Sequence, residues 1–358
     1  MKVVLMAAAN SVHSVRWANG LVSRGLDVHL ISLHVNKYEL DTRVHLHLLN
    51  KKAPLGYLFA VFEVRELLMK IMPDLINAHY ATGYGLLARL VGFRPTLLSV
   101  WGSDVYDFPD KSFFHHCLLR WNLQFATAIG STSHCMARKT RETYDHHNFF
   151  ITPFGVDELV FSPKPKPNEL SDTIVIGTVK TLSNKYGIDT LIEAFAIVVT
   201  ELADSQKLLL EITGGGPDLS RLQRLAKELG VFEQVKFHGP IVHQQIPSYL
   251  NRLDIYVALS RLDSESFGVA ILEASSCEKP VVVTDVDGPS EVTIDGHTGF
   301  IVPKEDPNAA SQVLINLIRD ADLRKKIGIA GRQHVLENYT WNKSLDTMIT
   351  AYENVLGK

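Results

Sequence analysis

The sequence predicts an α/β protein with two doubly wound domains, each a parallel β-sheet covered by helices on both faces. Its 358 residues, 46% of them apolar, suffice for two domains of about 150–200 residues. Short apolar runs alternate with helical stretches in both halves of the chain. Three alternate prolines, Pro163, Pro165 and Pro167, separate the halves, because proline interrupts both helices and central strands.

In the first half, a helix over residues 12–23, ended by Gly25, follows the first strand. The predicted strands of this half are residues 3–8, 28–33, 75–78, 96–100, 126–129 and 149–152. In the second half, apolar residues recur every three or four positions over 188–199 and 219–229, which predicts two helices, the latter ended by Gly230. The predicted strands there are residues 174–179, 207–213, 235–238, 255–258 and 281–284.

The proline-rich stretch predicts a linker at residues 155–172, with one domain over 1–160 and another over 161–340. Two doubly wound domains joined in this way are expected to face each other across a cleft, with the carboxyl ends of their strands toward one ligand.

Composition excludes several classes of protein. The net charge of −3 divides into +4 up to Asp157 and −7 beyond it, and the basic residues are interspersed, which argues against nucleic acid as a partner. Three widely spaced cysteines predict neither a disulfide framework nor a cysteine zinc site. The apolar residues 3–9 resemble a short signal peptide, but a buried first strand is favoured, and the expected location is cytoplasmic.

Two glutamates, Glu265 and Glu273, lie eight positions apart around Phe267, Gly268 and Val269. Backbone N–H groups at a helix N-terminus in this stretch favour an anion such as diphosphate, and Glu273 is suited to accept hydrogen bonds from a ribose. The alternative interpretation is a strand–helix junction with two solvated acids.

A loop after the predicted strand at 174–179 carries two lysines, Lys180 and Lys185, and cations there suit a phosphate. Two lysines on a solvated loop are the alternative. The triplet Gly214-Gly215-Gly216 is not a G-x-G-x-x-G fingerprint, so close packing of a tight turn is favoured over dinucleotide binding.

The remaining acidic, histidine-rich and serine-containing motifs do not indicate a functional site. Asp285-x-Asp287 is a short acidic triplet, and His45-x-His47, His115-His116 and His146-His147 lack an accompanying acid pattern, so no metal site is predicted. The segment Gly130-Ser131-Thr132-Ser133-His134 is not a G-x-S-x-G elbow, which argues against a hydrolase.

Taken together, these residues resemble the retaining glycosyltransferases of family 4, which have the GT-B fold. The resemblance covers essentially the whole chain and is strongest from Glu265 through Glu273 and Glu291 to Gly299. Further matches are the hinge residues Gly155-Val156-Asp157 and the segment Tyr339-Thr340-Trp341, which begins a last helix at 341–358 that crosses back to the first domain in this fold.

The resemblance implies sugar transfer from a nucleotide diphosphate sugar, with UDP expected from family frequency, and neither a cofactor nor a metal. Lys180, Lys185 and Glu265 are the implied catalytic residues. The implied donor-binding residues are Glu273, Phe267, Gly268, Val269, Gly177 and Gly215. No enzymic nucleophile is evident, and the family suggests attack from the face that the diphosphate leaves.

Departures from the family pattern lie at Asn10-Ser11-Val12-His13 and Trp101-Gly102-Ser103-Asp104, positions that face the sugar and the acceptor in relatives. They leave both substrates open. His13, His79 and Asp104 are the predicted acceptor-side residues, with loop or core residues as the alternative.

The positive first half and the helical segment 57–72 suit docking on an anionic inner-leaflet surface, where a glycan or polyprenyl-diphosphate-linked acceptor is expected. An amphipathic core helix is the alternative. A catalytically silent partner subunit and a nucleotide-sugar epimerase are the other functions that this fold allows, and the four charged residues Lys180, Lys185, Glu265 and Glu273 favour transfer over both.

Overall fold

Two parallel sheets organise the chain in a computed structural model that describes residues 1–202 and 206–357. The chain divides into two units, which we call unit 1 and unit 2. Unit 1 is Met1–Pro153 together with the segment from Asn342 onward, and unit 2 is Phe154–Trp341. Each unit holds one sheet, so the predicted α/β class with two doubly wound domains is confirmed.

Unit 1 contains a seven-stranded sheet of order β3-β2-β1-β4-β5-β6-β7. The central strands β4 and β5 are buried along their whole length, as expected for strands covered on both faces. Its elements before the chain enters unit 2 are β1 (Lys2–Met6), α1 (Val12–Ser23), β2 (Asp27–Ser32), β3 (His45–Leu48), α2 (Gly56–Phe59), α3 (Val61–Ile71), β4 (Leu75–His79), α4 (Gly83–Val91), β5 (Thr96–Val100), α5 (Phe113–Phe125), β6 (Ala128–Ser131), α6 (His134–Thr143) and β7 (Phe149–Ile151).

Unit 2 contains a six-stranded sheet of order β10-β9-β8-β11-β12-β13, and again every pair is parallel. Its elements are β8 (Thr173–Val179), α7 (Ile188–Leu202), β9 (Lys207–Thr213), α8 (Leu219–Glu228), β10 (Val235–Gly239), α9 (Ile246–Leu250), β11 (Ile255–Ala258), α10 (Val269–Ser276), β12 (Val281–Thr284), α11 (Asp287–Glu291), β13 (Gly299–Val302), α12 (Pro307–Arg319) and α13 (Ala321–Asn338).

The last helix, α14 (Trp341–Leu356), packs in unit 1 from Asn342 onward. Its residues Leu345, Met348 and Tyr352 are buried, and the Tyr352 hydroxyl donates to Asn77 Oδ1 on β4 at 2.8 Å. Arg24, which follows α1, forms an ion pair with Asp346 at 3.1 Å. Helix α14 is therefore part of the core of unit 1, although most of that unit is formed by the first 153 residues.

The division between the units falls before the proline-rich stretch rather than within it. Val156 and Phe161 are buried in unit 2, where the Phe161 carbonyl accepts a hydrogen bond from Ser276 Oγ at 2.6 Å. The Val156 N–H donates to the Tyr339 carbonyl at 2.8 Å. These contacts attach the segment to unit 2 from Phe154 onward, whereas the sequence placed the boundary at 160.

Strands β3, β6 and β13 differ from the sequence analysis, and β13 (Gly299–Val302) was not predicted. The strand predicted at 126–129 begins two residues later, as β6 at Ala128–Ser131. The start is delayed because Ala126 ends α5, where its N–H donates to the Leu123 carbonyl at 3.2 Å. Strand β3 was not predicted, since its alternating histidines and leucines lack the apolar run that marked the other strands.

Among the described residues, no helix has both the length and the apolar character needed to cross a membrane.

Candidate functional site

The predicted donor residues follow adjacent strands of the unit 2 sheet. Strand β8 ends at Val179, and Lys180 comes directly after it. Strand β11 pairs with β8, and the loop that carries Glu265 follows β11. Because parallel strands end at the same edge of a sheet, the topology brings Lys180 and Glu265 together.

Lys180 and Glu265 form a buried ion pair. Lys180 Nζ donates to Glu265 Oε1 at 2.6 Å, and the two side chains are only 8% and 13% exposed. Burial acts against the charged ammonium, but the carboxylate of Glu265 outweighs it, so the pKa of Lys180 is raised. Lys180 therefore stays protonated at neutral pH, paired with the opposite charge of Glu265.

The second predicted lysine lies beside the first, around one aromatic ring. Lys180 Nζ lies 5.2 Å and Lys185 Nζ 5.5 Å from the centre of the Tyr186 ring. The loop that carries Lys185 is held from β11, because the Arg261 N–H donates to the Lys185 carbonyl at 2.8 Å. Gly187 has φ +58°, and a Cβ there would lie 2.0 Å from the Leu259 carbonyl oxygen. The backbone around Lys185 is thus fixed on two sides.

Arg261 is itself held by carboxylates. Its Nη2 lies 2.8 Å from Asp189 Oδ1, and Arg221 Nη1 lies 2.9 Å from the other oxygen of Asp189. The guanidinium groups of Arg221 and Arg261 lower the pKa of Asp189, although burial alone acts to raise it. This chain of ion pairs supports the lysine loop from behind.

Glu273 lies on α10 and is 5% exposed. Its Oε1 lies 3.2 Å from Nε2 of His243, an exposed histidine in the segment before α9. His243 was not predicted as a site residue, because a lone histidine in a polar stretch gives no signal of its own. A carboxylate so placed can accept hydrogen bonds from a diol.

The start of α10 has the geometry expected of an anion-binding turn. Gly268 precedes the helix with φ +88° in the left-handed region, where glycine is favoured. Phe267 is buried between the rings of Phe154 and Tyr339, each with its centre 6.0 Å away. Gly288 lies against this turn, since a Cβ there would lie 2.3 Å from the Phe267 nitrogen. The first N–H groups of α10, from Val269, have no partner within the helix by geometry.

The predicted donor-binding glycines Gly177 and Gly215 differ in how tightly they are packed. A Cβ at Gly177 would lie 2.5 Å from Leu253 Cδ2, so this glycine is required inside the unit 2 core. In the triplet after β9, Cβ atoms at Gly214 and Gly216 would lie 1.9 Å and 2.2 Å from the carbonyl oxygens of Lys180 and Leu182, respectively. Gly215 alone has ordinary clearance, 3.5 Å from Pro240. This geometry agrees with the packing interpretation of the triplet, and donor contact by Gly177 and Gly215 stays a prediction.

The acidic triplet is part of a loop network. Asp285 Oδ1 accepts from the Lys304 N–H at 3.1 Å, and the Asp287 N–H donates to Asp263 Oδ1 at 3.4 Å. Lys304 Nζ also lies 3.1 Å from Asp263. The Asp285 carboxylate thus holds the backbone of a neighbouring loop, and Asp287 is the first residue of α11.

Unit 1 has a cavity of about 150 Å³ at the carboxyl ends of its strands. Residues that follow β1, β2, β4 and β5 form its wall, and aromatic side chains dominate it. They include His34, Tyr57, His79, Tyr80, Tyr84 and Trp101. Gly83 makes room for Tyr57, because a Cβ there would lie 2.4 Å from the Tyr57 ring.

His79, a predicted acceptor-side residue, lines this cavity and is 2% exposed. Its Nε2 lies 3.1 Å from Asn77 Oδ1, an amide oxygen, so Nε2 carries the proton. Its Nδ1 is then an acceptor, and it has no hydrogen-bond partner among the described residues. Burial lowers the pKa of His79 to about 3, so the ring stays neutral.

Trp101 brings the two predicted histidines together. Its ring centre lies 4.5 Å from that of His79 and 6.2 Å from that of His13. His13 is half-buried near the start of α1. The departure from the family pattern at Trp101 thus places a large aromatic ring on the cavity wall.

The carboxylate of Asp104, which is predicted on the acceptor side, is used inside the protein, and its contact with an acceptor stays a prediction. Asp104 is 1% exposed, and its oxygens accept from the N–H groups of Ala81, Trp101 and Gly102 at 2.8, 3.1 and 2.9 Å. Burial raises the pKa of Asp104, and these hydrogen bonds oppose the rise. Asp104 holds the loop that carries Trp101, which is the core-residue alternative.

Two family models match the chain in consecutive segments. The model described as glycosyl transferase 4-like matches residues 2–133, and the model described as glycosyl transferases group 1 matches residues 162–334. The first segment lies in unit 1 and the second in unit 2.

Curated relatives agree with these models. A GDP-mannose-dependent alpha-(1-6)-phosphatidylinositol monomannoside mannosyltransferase of Mycolicibacterium smegmatis is 34% identical over 201 residues, or 53% of this chain and 52% of that protein. The chain thus spans about half the length of this relative. The N-acetyl-alpha-D-glucosaminyl L-malate synthase of Bacillus anthracis is 25% identical over 357 residues, 94% of this chain and 91% of that protein.

Solved structures share the fold over the full chain. A sucrose-phosphate synthase from Thermosynechococcus elongatus has a TM-score of 0.85 at 18% identity and covers 100% of this chain and 99% of its own. Anabaena HepE, solved with UDP and glucose, has a TM-score of 0.79 at 17% identity and covers 98% of each chain. On the two family models and this shared architecture, the chain belongs to the family 4 glycosyltransferases of the GT-B fold.

Proposed function

We propose that this chain is a retaining glycosyltransferase that moves a sugar from a nucleotide diphosphate sugar to a hydroxyl group of a glycan or lipid-linked acceptor. The observation that carries the proposal is the buried Lys180–Glu265 pair at 2.6 Å. The ammonium groups of Lys180 and Lys185 both lie near the ring of Tyr186. A cation at this sheet edge suits a transferase, because the leaving diphosphate gathers negative charge there.

The chemistry follows from these charges. Breakage of the bond between the anomeric carbon and the diphosphate oxygen leaves the electron pair, and a negative charge, on the diphosphate. Lys180 and Lys185 stabilise that charge, and the amides at the start of α10 add to them. The acceptor hydroxyl forms the new bond from the face that the diphosphate leaves, and its proton passes to a phosphate oxygen. Two lysines supply the positive charge that a divalent metal supplies elsewhere.

UDP is the nucleotide that we propose, with Glu273 on the ribose. The complex of the Anabaena structure with UDP and glucose supports this choice, whereas the name of the mycobacterial relative specifies GDP-mannose. The sugar is a hexose or an N-acetylhexosamine in this proposal. A direct comparison of nucleotides decides the base.

Thermal unfolding of the full chain in EDTA, with UDP, GDP, ADP and TDP in turn, tests the donor site. A nucleotide at 100 times its dissociation constant stabilises the folded state by about 2.7 kcal/mol, which raises the midpoint measurably. We expect UDP to do so, Lys185→Ala to remove the effect, and Lys236→Ala, an exposed lysine on β10, to retain it. Stabilisation by GDP instead would overturn the choice of base. A failure of all four nucleotides would overturn the donor site.

The aromatic cavity of unit 1 is the proposed acceptor site. Stacking rings and neutral hydrogen-bond acceptors suit a sugar, which presents apolar C–H faces and hydroxyl groups. His79 Nδ1 is a neutral acceptor on the cavity wall, and we propose that it receives a hydrogen bond from an acceptor hydroxyl.

Helices α2 and α3 support peripheral docking on an anionic membrane. Large apolar side chains are exposed there, between 48% and 77%, at Leu58, Phe59, Phe62, Met69 and Met72. The basic residues Lys51, Lys52 and Lys70 are exposed in the same segment. Apolar side chains beside lysines are the combination that binds an anionic lipid surface.

A further inference from the structure

A cluster of three histidines and one aspartate lies on the edge of the unit 1 sheet, apart from the cavity. Asp27 and His29 come from β2, and His45 and His47 from the edge strand β3. His29 pairs with His45 in the parallel register, so the side chains of the two strands point to the same face. His45-x-His47 has no acidic residue beside it in the sequence, and the acid, Asp27, comes from the neighbouring strand β2.

The ligand atoms of this cluster converge. Asp27 Oδ1 lies 3.3 Å from His29 Nε2 and 3.7 Å from His45 Nε2. One ligand atom from each of these three residues lies within 4.8 Å of the others. A tetrahedral zinc ion with bonds of about 2.0–2.1 Å holds its ligands roughly 3.3–3.4 Å apart. The Asp27–His29 distance of 3.3 Å therefore matches a coordinated arrangement, and His45, at 3.7 Å from Asp27, lies slightly farther than a bound ligand.

The second nitrogen of His29 has the partner that a metal ligand needs. His29 Nδ1 lies 3.0 Å from His47 Nε2. With the lone pair of His29 Nε2 directed at a metal, its Nδ1–H donates to His47, and this hydrogen bond fixes the tautomer and the ring orientation. The rings of His45 and His47 stack on that of His29 at 4.6 and 5.3 Å.

Asp27 divides its two oxygens between different partners. Oδ2 lies 3.8 Å from Lys2 Nζ, while Oδ1 faces the histidines. Lys2 Nζ also donates to the Ile71 carbonyl at 2.8 Å, which holds the ammonium on the other side of the carboxylate. One oxygen thus remains directed at the two imidazoles.

We propose that Asp27, His29 and His45 bind one divalent transition-metal ion, Zn²⁺ in the first instance, with His47 orienting His29 and a fourth position open to water. Imidazole nitrogens with one carboxylate suit zinc and exclude Mg²⁺, which prefers oxygen ligands. The ion joins β2 to the edge strand β3 at their amino ends, whereas the cavity residues follow the carboxyl ends of the strands. The site is independent of the proposed sugar transfer.

Calorimetric titration of ZnCl₂ into the EDTA-treated and dialysed full chain tests the site. We expect one Zn²⁺ per chain, a raised melting temperature, and no heat from MgCl₂. His45→Gln and Asp27→Asn are the variants of choice, because these side chains are 59% and 44% exposed and the fold tolerates their exchange. Each is expected to weaken Zn²⁺ binding at least tenfold.

His147→Gln, at an exposed histidine of another pair, is the matched control and is expected to bind Zn²⁺ as the unaltered chain does. Absence of stoichiometric binding, or equal affinities for His45→Gln and His147→Gln, would overturn the proposal. Nucleotide binding in EDTA is expected to be unaffected by all of these variants, so a failure here is distinguishable from a failure of the donor site.

Discussion

Two opposing effects act on the charge of Lys180: burial disfavours the ammonium, and the carboxylate of Glu265 stabilises it. Removal of one partner of such a pair leaves the other charge buried and uncompensated. We expect Lys180→Met to lower the free energy of unfolding by about 3–5 kcal/mol. Urea denaturation of the purified variant measures this loss.

The double variant Lys180→Met with Glu265→Gln separates stability from function. Its free energy of unfolding is expected to recover most of the loss, because no uncompensated charge remains buried. Sugar transfer is expected to stay at least a hundredfold below that of the unaltered chain. A double variant as unstable as the single one would contradict the account of the pair.

His79 gives a second prediction at this scale. Its pKa is about 3 in the folded protein and near 6.5 in the unfolded chain, so the unfolded state binds more protons between these values. Stability from this group is therefore complete above pH 6.5 and is lost as the pH falls toward 3, by about 1.4 kcal/mol per pH unit. Urea denaturation at pH 7.5 and 5.5 measures the difference.

His79→Gln removes the titrating group, and its free energy of unfolding is expected to fall less over that pH interval. His147→Gln, at an exposed ring, is expected to follow the unaltered chain. Equal pH dependence in His79→Gln and the unaltered chain would show that His79 is not held neutral.

At the scale of elements, the glycine triplet after β9 offers a matched comparison within one turn. A Cβ at Gly216 would lie 2.2 Å from a backbone oxygen that has no room to move, and a Cβ at Gly215 would make an ordinary 3.5 Å contact. We expect Gly216→Ala to lower the melting temperature by several degrees and Gly215→Ala to leave it nearly unchanged. If Gly215 contacts the donor, Gly215→Ala weakens nucleotide binding without loss of stability.

The exposed face of α2 and α3 makes a prediction about lipid. Phe62→Ser is expected to reduce flotation with vesicles that contain anionic lipid, because Phe62 is 77% exposed beside basic residues. Leu159→Ser, at an 83% exposed leucine of unit 2, is the control and is expected to float as the unaltered chain does. Absence of flotation for the unaltered chain would remove the membrane proposal.

At the scale of the molecule, unit 1 depends on a helix that the chain reaches only at its end. Tyr352 on α14 is fully buried, and its hydroxyl shares Asn77 Oδ1 with His79. Tyr352→Phe is expected to lower the free energy of unfolding by about 1–1.5 kcal/mol. Urea denaturation checks it against Tyr38→Phe, at a 43% exposed ring, which is expected to cost almost nothing.

The sequence predicted the two parallel sheets, because strands that are buried on both faces are continuous apolar runs and are recognisable without knowledge of their order in the sheet. The family resemblance implied that Lys180 and Glu265 belong to one site, and they meet because each follows one of two paired strands. The sequence did not reveal that Asp104 is buried. An aspartate that accepts hydrogen bonds from three backbone N–H groups cannot be told, in the sequence, from one that faces a substrate. Nor did the sequence pair Glu273 with His243 or His45 with Asp27, because such pairs depend on which strands and loops become neighbours.

The short edge strands of unit 1 have a consequence for how copies of this chain meet. The outer strands β3 and β7 have four and three residues, so each offers little unpaired backbone to a strand from another molecule. In β3 the stacked histidines occupy one face of that edge and are polar. Short, polar edge strands pair poorly with a strand of another molecule. The sheet that aligns the cavity residues is therefore protected from aggregation at both of its edges.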